Sequence, residues 1–103
     1  MPKDLNVVLL LDYYGGLLPQ KQRSLVEYYY CDDLSLAEIA ENEDITRQGA
    51  RDSIVRAVKK LYEFEDKVGF LAKSRALKTA LNKYQVSQSN DDLKDLLEMI
   101  NEL

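Results

Sequence analysis

The sequence contains no histidine and a single cysteine, Cys31. Without imidazole there is no histidine acid/base relay, no Cys-His nucleophile and no Cys/His zinc cage, and one thiol cannot close an internal disulfide. Long apolar runs are missing as well. The longest, Val7 to Leu11, falls far short of the roughly 20 residues a membrane span requires. No charged leader with a small-residue cleavage site precedes it, so the expectation is a cytoplasmic chain without membrane association. Alternating runs of β-branched residues bounded by turn pairs are also lacking, and the segments between breakers have helical spacing or length. The expected fold is therefore all-α.

What is present is a chain of 103 residues with 46% hydrophobic and 31% charged side chains, enough apolar material for one small core, and not the composition of a disordered segment. That length fits one domain, or a small domain with an appendage. The net charge of −4 conceals an uneven distribution. Residues 1–44 hold three bases against nine acids, 45–83 hold ten bases against four acids, and 84–103 hold one base against five acids. A basic middle between acidic ends is either ordinary fluctuation or a face aimed at phosphates in a protein whose total charge opposes indiscriminate binding.

Local signals divide the chain further. Asp4 to Tyr14 reads as a first helix, ended by Gly15-Gly16 through the left-handed conformation that glycine accepts. Pro19 suits the first turn of a second helix running through Leu25, Val26 and Tyr29. Tyr28, Tyr29 and Tyr30 cannot all face one core. Either one or two rings pack with their hydroxyls at the surface, or the cluster forms a stacking platform for bases. Ser35-Leu36-Ala37-Glu38 has the form of a capping box, which predicts the start of a short helix. Thr46, after Glu43-Asp44, is a second N-cap candidate.

From Thr46 onward Ala50, Ile54, Ala57, Val58, Leu61, Phe64 and Val68 share one helical face, with Gln48, Asp52, Arg56, Lys59, Glu63 and Lys67 opposite. Gln85 to Asn90 is a polar break, and Leu93, Leu96, Leu97, Ile100 and Leu103 give the tail an amphipathic stripe that needs a partner surface, its own domain or a second subunit. The expected division is 1–69 for a helix-turn-helix domain and 70–103 for a C-terminal helical extension that packs on itself or forms a homodimer.

A short helix, a tight turn and a long helix beginning Thr-Arg-Gln form the pattern of a helix-turn-helix unit, whose second helix offers its N-terminal residues to the DNA major groove. Ala40 is small where the helices cross, and Asp44 stands at the turn position where glycine is usual; aspartate tolerates positive φ there. The stretch SLAEIAENEDITRQGARDSIVRAVKKL resembles DNA-binding region 4 of bacterial sigma factors. Together with LLLDYYGGLLPQKQ, VEYYYCDDLSLAEIA and VKKLYEFEDKVGF, it resembles the YlxM family of small sigma-region-4-like proteins over roughly Leu9 to Phe70.

The resemblance implies a sigma region 4-like helix-turn-helix bundle and a DNA-binding regulator of transcription. The family's genes typically accompany that of the signal recognition particle GTPase, so signal recognition particle components join double-stranded DNA as expected partners. By the same analogy, Arg47, Gln48, Arg51 and Asp52 take the base-reading positions. Arginine can bridge guanine and glutamine adenine; Asp52 stands where sigma factors commonly have an amide, and a carboxylate suits only a cytosine amino group. Thr46, Arg56, Lys59 and Lys60 are the expected phosphate contacts. Gly49 either costs the helix about 1 kcal/mol relative to alanine incidentally, or allows the backbone close to DNA.

Two alternatives remain. The runner-up is a protein- or RNA-interaction module of the protein-targeting machinery on the same scaffold, since a fold does not fix its function. An enzyme is not expected, and no catalytic, cofactor-binding or metal-ligating residue stands out: the Asp32-Asp33 and Asp91-Asp92 pairs read as helix-start acids facing the dipole. Cys31, beside two acids, has no sequence-adjacent cation to activate its thiol.

Overall fold

The computed structural model describes residues 3–103, and all regular structure among them is helical. Six α-helices follow in order: α1 (Asn6–Tyr14), α2 (Gln20–Tyr30), α3 (Leu36–Glu43), α4 (Arg47–Val68), α5 (Phe70–Ser87) and α6 (Asn90–Asn101), with one 3-10 turn at Gly15–Leu17. The chain separates into two compact units, Met1–Val68 and Gly69–Leu103.

In the first unit α1, α2 and α3 each pack on α4, which acts as the spine. Its inward face is the one the spacing predicts: Ala50, Ile54, Ala57 and Leu61 are fully buried, whereas Val58 and Phe64 are half-buried and Val68 is exposed. Ile39 and Ala40 of α3, Leu25 and Tyr29 of α2, and Ala50 and Ile54 of α4 form one apolar cluster beneath the helix-turn-helix. Small side chains at Ala40 and Ala50 let the two helices approach where they cross. Of the three consecutive tyrosines only Tyr29 is buried; Tyr28 and Tyr30 pack against the same cluster at its edge.

Helix ends follow local chemistry. Ser35 and Glu38 make the reciprocal capping box: the Glu38 amide donates to Ser35 Oγ and the Ser35 amide donates to Glu38 Oε1, both at 3.1 Å. The Ser35 amide first, and then the Ser35 hydroxyl, hold the Glu38 carboxyl below the usual glutamate range. The other end of α3 closes at Asp44, which is left-handed with φ 53°, while the Ile45 amide donates to the Ala40 carbonyl at 3.0 Å. This six-residue closure is a Schellman turn, with aspartate where glycine is commonest.

Three local expectations change. Gly15 ends α1 but is right-handed, with φ −56°, and the chain runs on into the 3-10 turn. Space favours glycine there instead, because an added Cβ would lie 3.1 Å from Leu11 Cδ1 and the leucine would have to give by a few tenths of an ångström. Pro19 occupies the N-cap of α2, not its first turn. Asp32 and Asp33 are not at a helix start. Asp33 is left-handed, with φ 57°, and forms an exposed ion pair with Lys3, whose ammonium sits 4.7 Å from the Tyr29 ring centroid. Asp91 and Asp92 do lie in the first turn of α6 behind the Ser89 cap.

The second unit is a helical hairpin. α5 runs through Ser87, farther than the polar composition after Tyr84 predicts, and the break contracts to Gln88 and Ser89, with Gln88 left-handed at φ 50°. Ser89 Oγ accepts from the Asp92 amide at 3.1 Å, and Lys83 pairs with Asp92 at 3.5 Å across the turn.

Candidate nucleic-acid interface

The turn Asp44–Thr46 presents the N-terminus of α4 at the surface. Thr46 caps it: Thr46 Oγ1 accepts from the Gly49 amide at 2.9 Å, satisfying one of the donors that a helix start leaves unpaired. The hydroxyl proton is left to donate outward. Gly49 belongs to this arrangement, since an added Cβ would lie 3.0 Å from Thr46 Oγ1. That close approach within the molecule explains the glycine without reference to a ligand.

Arg47, Gln48 and Arg51 are exposed and, with Leu36 of α3, line one shallow concavity. Asp52 lies one turn on from Gln48 and beside Arg51. Gln48 Nε2 donates to Asp52 Oδ1 at 2.9 Å, and Arg51 Nη1 lies 3.6 Å from the same oxygen. The carboxylate thus braces both long side chains rather than standing alone. With one amide proton committed to Asp52, Gln48 keeps a second donor and its carbonyl oxygen outward, the pair an adenine edge requires. Bracing reduces the rotamer entropy that docking would otherwise cost.

Farther along α4, Arg56 and Lys59 are exposed, and Lys60 reaches sideways to α2, donating from Nζ to Gln22 Oε1 at 3.3 Å. The eight residues singled out from sequence therefore all lie on α4 or its cap and at least partly exposed, but not on a single strip. At about 100° per residue, Arg47 and Arg51 lean toward the α3 flank, Gln48, Asp52 and Lys59 follow the outer ridge, and Arg56 and Lys60 turn toward α2.

Sequence reasoning missed Val55. It is 43% exposed and lies on the outer ridge between Gln48 and Lys59, among polar neighbours. The signal that could have found it is its angular position, about 100° or more from the buried series Ala50, Ile54, Ala57 and Leu61. Cys31, by contrast, behaves as its neighbours indicate: burial first, then Glu27, Asp32 and Asp12, push the thiol up from its ordinary value, so it is less nucleophilic at neutral pH than a free thiol. Among the described residues no group of three or more acids or thiols is placed to hold a metal ion, and no helix is long and apolar enough to cross a membrane.

Comparison with known proteins gives the family of the chain. The family described as "Putative helix-turn-helix protein, YlxM / p13 like" matches residues 1–102. A UPF0122 protein of Bacillus thuringiensis (strain Al Hakam) is 41% identical over 108 aligned positions, covering 100% of this chain and 98% of the relative. A UPF0122 protein of Desulforamulus reducens is 46% identical over 68 positions, covering 66% of this chain and 58% of the relative.

Proposed function

Because the chain belongs to the UPF0122 family of YlxM/p13-like helix-turn-helix proteins, we propose that it binds double-stranded DNA, with the first turns of α4 in the major groove. One observation carries this reading: Arg47, Gln48 and Arg51 share a concavity at an exposed, capped helix start, with Gln48 and Arg51 braced by Asp52. In this reading these four residues meet base edges, and the Thr46 hydroxyl, Arg56, Lys59 and Lys60 meet phosphates. The excess of bases between Ile45 and Lys83 supplies the sequence-independent attraction, and the acidic ends limit it. A regulatory role in the cytoplasm, and a tie to the signal recognition particle, rest on the family resemblance.

The test is an anisotropy titration with random duplex DNA, single-stranded DNA and a structured RNA at two salt concentrations, followed by selection of a preferred duplex. Duplex DNA should bind tightest, with affinity falling steeply as salt rises. Against the selected duplex, Arg47→Ala and Arg51→Ala should each cost about 1 to 3 kcal/mol for every base edge the arginine no longer reaches, while Lys59→Ala should weaken all duplexes alike and flatten the salt dependence. Preference for the structured RNA would favour an RNA-interaction module instead, and equal losses on matched and mismatched duplexes would remove the base-reading role from the two arginines.

A further inference from the structure

Two large apolar residues of α4 are exposed, Val68 at 52% and Val55 at 43%. Val68 ends the helix in angular phase with Ala50, Ala57 and Leu61, so it continues the buried stripe past the point where the core stops. Val55 has no such origin. At about 100° per residue it shares an arc of about 60° with Gln48, Asp52 and Lys59, on the side of α4 turned away from the core. Helix stability does not call for valine there either, since a β-branched residue is a poorer helix former than alanine, lysine or arginine. The position needs an apolar group for something outside the chain.

This inference rests on the DNA reading proposed above, in which the ridge carrying Gln48 and Asp52 faces the base edges. Those edges present acceptors, amino donors and one apolar group, the C5-methyl of thymine. Valine set against an acceptor or an amino group would strip it of water and return no hydrogen bond. Against the methyl, two apolar surfaces leave water together and no polar group is orphaned. In a helix valine holds one strongly preferred χ1 rotamer, so the contact costs little side-chain freedom. We infer that Val55 is a thymine-reading residue, its methyl groups packed on the C5-methyl of one thymine in the major groove, so that the bound duplex carries an A·T pair at that step. Val55 follows Gln48 by seven residues, about 10 Å along the helix axis. The contact therefore requires α4 to lie along the groove rather than end-on, and the thymine belongs to a different base pair from the edge that Gln48 meets.

The test uses the full chain and the duplex that selection yields, read by fluorescence anisotropy. Each thymine is replaced in turn by deoxyuridine, which removes the C5-methyl and leaves every hydrogen-bonding group of the base in place. At one position the replacement should weaken wild-type binding about three- to fivefold, the worth of one buried methyl. Val55→Ser, at an exposed position and checked for helicity by circular dichroism, should bind the thymine duplex more weakly by a similar factor and be indifferent to deoxyuridine at that position. Its salt dependence should match wild type, because no phosphate contact is lost. A selected duplex without thymine, a wild-type chain indifferent to every replacement, or a deoxyuridine loss that persists in full in Val55→Ser would each overturn the assignment while leaving duplex binding intact. Absence of duplex binding would overturn the DNA reading itself, and this inference with it. Should the serine variant lose helicity, Val55→Ala takes its place: a smaller deoxyuridine effect than in wild type supports the contact, and an equal one refutes it.

Discussion

Replacing Gly49 by alanine sets two effects of similar size against each other. Gly49 is helical and lies in the first turn of α4, so alanine should gain about 1 kcal/mol from reduced backbone freedom in the unfolded chain. The new Cβ, however, would lie 3.0 Å from Thr46 Oγ1, the oxygen that caps this helix at 2.9 Å. Either the hydroxyl moves and the cap weakens, or the first turn shifts; an N-cap of this type contributes about 1 kcal/mol. Gly49→Ala alone should therefore change stability by less than about 0.5 kcal/mol, the difference of two effects near 1 kcal/mol each. Thr46→Ala should cost about 1 kcal/mol, and Gly49→Ala added to it should recover about that amount, because the obstructing oxygen has gone. Urea unfolding of the four proteins, followed by circular dichroism, yields the coupling energy directly. A coupling near zero, with Gly49→Ala stabilising both backgrounds equally, would refute the steric argument. The same proteins separate the two functional readings of this glycine: if it also admits the DNA backbone, Gly49→Ala should weaken duplex binding relative to Thr46→Ala alone, in the background where the fold gains from it.

Asp44→Gly should stabilise the chain by up to about 1 kcal/mol, because Asp44 holds φ 53° and glycine enters that region freely; an unchanged urea midpoint would mean that the aspartate side chain compensates for its own backbone cost. The Glu38 carboxyl, held low by the Ser35 amide, favours the folded state above the unfolded-chain pKa and loses that contribution as pH falls through the lower folded value. The acid limb of a stability-pH profile should accordingly flatten in Glu38→Gln and change less in Ser35→Ala, which keeps the backbone amide, and an acid limb identical to wild type in Glu38→Gln would remove the capping box from acid sensitivity.

Features carried by residues close in the chain are legible in the sequence. The Ser35 and Glu38 box, the left-handed Asp44, the Thr46 cap and the buried series Ala50, Ile54, Ala57 arise from bonds and spacings within one or two helical turns, and helical periodicity reports those directly. The same holds for the location of the candidate interface, which needs only a turn and the helix start after it. Gly15 illustrates where such reasoning stops: the glycine pair marks the helix end correctly but not its cause, because a 3.1 Å approach to Leu11 depends on the path taken after the helix. Pairs such as Tyr14 with Glu65, 2.7 Å apart across 51 positions, Lys60 with Gln22, and Lys3 with Asp33 have no periodic signature. At the interface, the identities of Gln48, Arg51 and Asp52 can be read from the chain, but the choice of one carboxylate oxygen to brace both neighbours depends on rotamers. Rotamers are selected by what surrounds a side chain, so the sequence alone determined which groups stand on α4, and packing decided which way they point.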